Sequence, residues 1–340
     1  MVKKMSERKE FLAKNALIMI AAIWIVTFIV GVILLLLDFN DKFYVDNSAV
    51  QGFFEVITFT GEAIFFIILI AIFYFVYDKK FAKDLASSLL LSVYVNEFVK
   101  DIFKDPRPYT NIDLTEEYGF VETGYGFPSG HTQNAVAVWG YMGYKFKDKA
   151  KPSYLIPTIL SALIFLIAIS RMILGVHDLQ DVIGGLLIGI VFLLGFIYLQ
   201  PKVSEKIVKF SLPIKMIMTV IVTILLFILG TLLFPEAGLG IVPGAAPYQD
   251  EGGFAQASGA LLGLTLGYLL ENEYVKYEPS ELNTKTKLIN LIIGIVILLV
   301  CYFGLDFVLA GNVVMRFIRY AVLSFIVALI VPLIFTKINK

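Results

Sequence analysis

Residues 153–199 read SYLIPTILSALIFLIAISRMILGVHDLQDVIGGLLIGIVFLLGFIYL. The stretch holds two apolar runs, 153–173 and 178–199. Each is close to the ~20 residues that cross about 30 Å of hydrocarbon at about 1.5 Å rise per residue. Where they meet is a short polar hinge: Ser170 and Arg171 at the end of the first run, His177 between the runs, and Asp181 at the start of the second. Apolar helices meeting at an ionisable corner set the pattern of the whole chain.

Further apolar runs fall at 16–37, 52–77, 82–99 and 130–146 before the hinge, and at 214–234, 254–271, 288–309 and 313–336 after it. This predicts an all-α, polytopic membrane helix bundle of about ten transmembrane helices. Composition agrees. Of 340 residues, 58% are hydrophobic and 16% charged, with a mean hydropathy of +0.82; a soluble domain carries about 25% charged residues. The zero formal net charge argues against a nucleic-acid partner. The first run follows Lys3, Lys4, Arg8, Lys9 and Lys14, exceeds a signal-peptide core in length, and has no small-x-small cleavage site before Asp38. It is expected to remain as the first span. The single cysteine, Cys301, sits inside an apolar run as a small buried filler.

Placing the N-terminus inside puts 21 of the 28 Lys and Arg residues on the inner side, the bias that orients membrane proteins. The chain is therefore expected in the cell membrane with both termini cytoplasmic. Lys100, Arg107 and Arg171 fall on the outer side, against that bias. The stretch 235–257 is rich in Gly and Pro, lacks basic residues and reads as an external loop. It suggests a division into a six-span core, 1–212, and a four-span extension, 213–340. Gly259, Gly263 and Gly267 recur at four-residue spacing, as do Gly185 and Gly189, and offer smooth faces for close helix contact. With no ionisable site residues of its own, the extension is expected to be a separable accessory unit.

Three polar clusters carry the chemistry. His177 and Asp181, four residues apart, share one helix face, so the carboxylate can accept from one ring nitrogen and leave the other free to attack or take a proton. Arg171 ends the preceding span, and Gly175 lets the chain turn back. Upstream, Lys100 ends a span and Arg107 stands between Pro106 and Pro108, which hold it extended. In Pro128-Ser129-Gly130-His131, Ser129 is a helix N-cap, Gly130 lets backbone N–H groups approach an anion, and His131 can donate a proton to a leaving group. Taken singly, each cluster also reads as an ordinary polar helix end, with Arg171 reaching the headgroups. Together they put three cations, an anion-binding helix start and both histidines of the chain at span ends on one membrane face. That combination suits phosphoryl chemistry without a metal.

The clusters resemble the type 2 phosphatidic acid phosphatase family, the membrane branch of the superfamily that includes vanadium-dependent haloperoxidases. Its pattern, K-x6-RP, PSGH and SR-x5-H-x3-D, is matched at Lys100…Arg107-Pro108, at Pro128-Ser129-Gly130-His131 and at Ser170-Arg171…His177…Asp181. The likeness covers about residues 50–200. It implies that His177 forms a phosphohistidine, oriented by Asp181, and that His131 is the general acid. Lys100, Arg107, Arg171, Ser129 and the Gly130 amide would hold the phosphoryl oxygens. No metal or other cofactor is expected. The implied partner is a membrane lipid phosphate, such as a polyprenyl pyrophosphate or phosphatidic acid, presenting its phosphate at the outer face while its tails stay in the bilayer. The same phosphohistidine could serve a lipid phosphotransferase, and a non-enzymatic lipid-binding or transport protein could use the same scaffold. Homo-oligomerisation is left open.

Overall fold

The computed structural model describes residues 14–37, 44–105, 107, 125–233, 252–309 and 312–339. Among them every regular element is helical and no strand is present. In chain order the helices are α1 (Lys14–Leu36), α2 (Ser48–Phe59), α3 (Ala63–Val76) and α4 (Lys79–Phe103). Next comes α5, which runs through Gly130–Ala135, a π-helical turn Val136–Gly140 and Tyr141–Phe146. Then follow α6 (Leu155–Ile173), α7 (Leu179–Ile207), α8 (Leu212–Leu233), α9 (Gly253–Leu270), α10 (Thr284–Val308) and α11 (Val313–Phe325, prolonged to Ile338). The external loop expected at 235–257, Pro106 and Pro108, and the N-terminal basic residues before Lys14 lie outside the described residues, apart from the loop's last positions.

Among the described residues, six helices are long and apolar enough to cross a membrane, and a seventh counts if α2 and α3 are one span bent by 43°. Their lipid-side residues are exposed, Val191 and Phe307 among them, as a hydrocarbon solvent permits. This is a multi-pass membrane protein. The expected ten crossings are not established by length and composition, because α4 and α5 do not qualify. The charges of α4 (Lys79, Lys80, Lys83, Asp84, Glu97, Lys100, Asp101) account for its failure.

The buried uncharged polar residues of α4, Ser88, Ser92 and Asn96, face protein. Ser88 Oγ donates to the Ala137 carbonyl at 3.0 Å, Ser92 Oγ to Asn134 Oδ1 at 2.8 Å, and Asn96 Nδ2 to Gln133 Oε1 at 2.9 Å. Gln133 returns a bond to the Ser92 carbonyl at 2.9 Å. The seam answers the polar start of run 130–146: Thr132 and Gln133 are buried between helices, where unpaired amides would be costly. On the other side of α5, α7 comes close because it has glycines. A Cβ at Gly185 would stand 2.7 Å from the Ser129 carbonyl, and one at Gly189 2.9 Å from Val136.

The extension packs directly on the core helices. Ala71, Tyr74, Phe75 and Ala86 of α3 and α4 share one core with Leu264, Leu298, Ala328 and Phe335. Tyr74 Oη donates to the Ala328 carbonyl at 2.9 Å, and Tyr94 Oη to the Leu226 carbonyl at 2.9 Å. Lys79, buried at the start of α4, pairs with Glu271 at 3.0 Å and Glu278 at 3.2 Å. The glycine ladder of α9 does pack as its spacing suggested, against α11. There a Cβ at Gly259 would meet the Phe317 carbonyl oxygen at 2.2 Å.

Candidate active site

The three clusters converge. At the α6–α7 corner the chain closes through Gly175, at φ 71°, which an L-residue adopts only with strain. The Val176 and His177 amides both bond back to the Arg171 carbonyl, at 3.2 and 3.3 Å, tying the histidine to the end of α6. Asp178 then caps α7: its side chain accepts from the Asp181 amide at 3.0 Å, and Asp181 accepts from the Asp178 amide at 3.3 Å. This reciprocal cap fixes Asp181 where it also reaches His177.

His177 Nδ1 lies 2.9 Å from Asp181 Oδ2, and its Nε2 lies 3.2 Å from Arg107 Nη1. A carboxylate accepts and a guanidinium only donates. Nδ1 therefore carries the proton, and the Nε2 lone pair faces Arg107. Arg107 is steadied by a second bond to the Val176 carbonyl at 2.9 Å. His177 is buried, and its imidazole is held well below 6.5 by burial first, then by the charges of Arg107, Lys100 and Arg171. The ring stays neutral, with its lone pair available, through ordinary pH.

Of the expected phosphate ligands, Lys100, Arg107 and Gly130 line the same pocket as this ring, whereas Arg171 and Ser129 are buried and do not line it. Lys100, at the end of α4, is buried and donates to the Tyr125 carbonyl. Arg171 is buried and donates to Thr58 Oγ1 at 2.8 Å. The Ser129 amide bonds to the Asp181 carbonyl at 2.9 Å, locking the Ser-Gly turn to the first turn of α7. Ser129 sits at the N-cap position, but its side chain makes no capping bond; its hydroxyl instead accepts from Thr132 Oγ1 at 3.1 Å. The capping role expected for it is corrected accordingly. Gly130 lies against Asn96, which a Cβ would approach to 3.0 Å. Among the described residues, no group of three or more His, Cys, Asp or Glu side chains could hold a metal ion.

One member escaped the sequence reading. His131 Nε2 lies 2.8 Å from Glu62 Oε1. Glu62 sits at the break between α2 and α3, where Trp139 Nε1 donates to the Thr60 carbonyl at 3.3 Å. Gly61 leaves room for the imidazole, since a Cβ there would stand 3.3 Å from His131 Cδ2. An ionisable residue in the middle of the apolar run 52–77 was the signal that could have found it. A carboxylate partner therefore does not distinguish the two histidines. What distinguishes them is that His177 is buried among cations while His131 is only half-buried.

Residues 81–205 match the family model described as PAP2 superfamily. The chain carries a PAP2 superfamily domain. Residues 255–340 match a second model, described as PAP2 superfamily phosphatase, transmembrane extension. All the site residues except Glu62 fall inside the PAP2 domain. Lipid phosphate phosphatase delta of Arabidopsis thaliana is 24% identical over 191 residues, covering 54% of this chain and 45% of that one. Lipid A 4'-phosphatase of Porphyromonas gingivalis is 30% identical over 159 residues, covering 43% and 64%. The chain thus spans about half the length of these relatives. The crystal structure of a transmembrane PAP2 type phosphatidylglycerolphosphate phosphatase from Bacillus subtilis aligns with a TM-score of 0.42 and 19% identity, over 54% of this chain and 96% of that one.

Two outcomes follow from the geometry around the histidines. With only two histidines in the chain, imidazole ¹⁵N NMR in detergent can follow each, assigned through His131→Asn. His177 should titrate well below 6.5, and Arg107→Gln, which removes a neighbouring charge, should move it upward. Titration of His177 at or above 6.5 would contradict the reading. Separately, His131→Ala should cost about 10²–10⁴-fold in turnover and Glu62→Gln about tenfold, if His131 acts as the acid. Both losses should shrink for an aryl phosphate whose leaving phenol needs no proton. Equal losses on alkyl and aryl substrates would remove Glu62 and His131 from that role.

Proposed function

We propose that the protein is an integral membrane phosphatase that hydrolyses a phosphomonoester or pyrophosphate of a lipid through a phosphohistidine, without a metal ion. The observation that carries this reading is the His177 ring: Nδ1 is locked to Asp181, and the Nε2 lone pair is turned toward a pocket bounded by Arg107 and Lys100. In the first step Nε2 attacks phosphorus, the bond to the leaving oxygen breaks with its electron pair, and His131 protonates that oxygen. In the second, His131 takes a proton from water, whose oxygen attacks phosphorus. The P–N bond then breaks back to Nε2 and phosphate leaves. Lys100, Arg107, Arg171, Ser129 and the Gly130 amide hold the equatorial oxygens, whose charge needs positioning and stabilisation more than covalent help.

Both relatives are named as phosphatases of lipid substrates, which supports a lipid substrate here. Residues 1–212 would form the phosphatase core, with both termini cytoplasmic and the site on the external face, as the distribution of basic residues favours. A cysteine at 111 should then react with an impermeant thiol reagent from outside intact cells, while one at 204 stays silent; the reverse pattern would invert the topology. The activity itself is tested with purified protein in chelator. Polyprenyl pyrophosphate, phosphatidic acid, lysophosphatidic acid and phosphatidylglycerophosphate are offered, and free phosphate is measured beside transfer to an added alcohol. Release of phosphate from at least one lipid is expected. Transfer without release would make the protein a phosphotransferase, and turnover of none would sink the reading.

A further inference from the structure

A cavity of about 550 Å³ begins at the candidate catalytic residues and does not end in the PAP2 domain. At one end it is lined by His177, Arg107, Lys100, His131 and Glu62. Along α4 its lining continues through Asn96, Val93 and Leu89 to Ala86. Lys100 and Ala86 are 14 residues apart on this helix. At about 1.5 Å per residue they lie some 21 Å apart, roughly two thirds of the ~30 Å hydrocarbon thickness.

The character of the lining changes along that length. Beyond Asn96 the α3 and α4 side is apolar, with Ile67, Ile70 and Leu89. The facing side belongs to the extension: Ala260 and Leu264 of α9, then Leu323 and Val327 on α11 and its prolongation, each pair four residues apart and so one turn apart on one helix face. Gln256 and Arg316 of the extension line the cavity too, and the Arg316 Nε is buried without a hydrogen-bond partner. A polar cationic end continuous with a long apolar end is complementary to an amphiphile with a phosphate at its head.

We infer that the extension forms one wall of the substrate site: it encloses the hydrocarbon chain of the lipid phosphate and sets which chain lengths are accepted. This inference rests on the phosphatase reading of the same site and deepens it. It also revises the expectation that the tails stay in the bilayer, since the chain lies inside the protein between α3, α4, α9 and α11. The glycine ladder of α9 then has a second consequence. By seating α9 directly on α11 it brings Ala260 and Leu264 into one wall with Leu323 and Val327.

The test compares lipid phosphates of one headgroup with six- and sixteen-carbon chains against an aryl phosphate without a chain. Ala260→Phe fills the apolar end and Leu264→Ala widens it. Ala260→Phe should lower the ratio of kcat/KM for the sixteen-carbon substrate to that for the aryl phosphate by about tenfold or more, through lost burial of methylenes. Leu264→Ala should shift the preference among chain lengths instead of lowering all substrates together. Equal effects on all three substrates, or none, would overturn the assignment. A second arm needs no turnover: a sixteen-carbon phosphate with a diazirine at the chain terminus is photolysed on the full-length protein. Labelling within Gly253–Leu270 and Val313–Phe325 is expected, and labelling confined to lipid-facing α8 would overturn the inference. Labelling of the expected helices by a protein that releases no phosphate would refute the phosphatase reading and leave the chain site standing.

Discussion

Replacement of His177 by alanine should abolish turnover and, with it, any covalent phosphoprotein, a loss on the order of 10⁴-fold or more if covalent catalysis carries the reaction. The size follows from geometry. His177 Nε2 is the ring atom facing the cationic pocket, and the other nitrogen is committed to Asp181 at 2.9 Å. No water held in the vacated space would match a preoriented imidazole. Asp181→Asn should keep the fold yet lose much of the activity, because an amide can donate to Nδ1 and favour the wrong tautomer. Rapid quench of the native protein with a lipid phosphate should trap acid-labile phosphate on residue 177. Its appearance on His131, or near-normal turnover by His177→Ala, would show that the roles have been assigned wrongly.

The second large effect concerns folding. A Cβ on Gly263 would stand 1.9 Å from the Ala321 carbonyl oxygen and 2.8 Å from the Phe325 amide nitrogen. Both are backbone atoms, so no side-chain rotation relieves the clash and the two helices must part. Overpacking a well-packed interior costs about 1–3 kcal/mol when side chains can give, and the cost here should be at the upper end or beyond. Gly263→Ala should therefore lower the yield of monodisperse protein and its melting temperature in detergent, and Gly263→Leu should leave little folded material. Gly195→Ala, where a Cβ meets nothing within 4 Å, is the matched control. Equal stability of the Gly263 and Gly195 variants would mean that α9 and α11 are not in such close contact.

What the sequence disclosed was whatever is local. The spacing of His177 and Asp181 suggested their pairing, although the shared helix face expected for them is corrected: His177 precedes the Asp178 cap of α7, and the capping box brings Asp181 to it. Long-range partners were hidden. Glu62 and His131 are 69 residues apart, and nothing in either neighbourhood points to the other. Thr132, Gln133 and Asn134 open the run 130–146, and polarity in a sequence does not say whether water or another helix satisfies it. The cavity lining was hidden for a related reason. Ala260, Leu264, Leu323 and Val327 look like any membrane-helix residues, and only packing shows that they line the cavity that reaches His177.

Lys79 and Glu271 bear on how the chain is made. Their buried pair joins residues 192 positions apart, so the lysine is synthesised long before the carboxylate that neutralises it. Until α9 is inserted, the start of α4 must keep its ammonium in water or at the headgroups, because an unmatched charge in a dry interior is strongly disfavoured. The PAP2 domain cannot then reach its final packing while the ribosome is still completing it, and maturation waits for the last third of the chain. A nascent chain arrested at residue 212 should remain protease-sensitive around α4, and one extended past residue 339 should not.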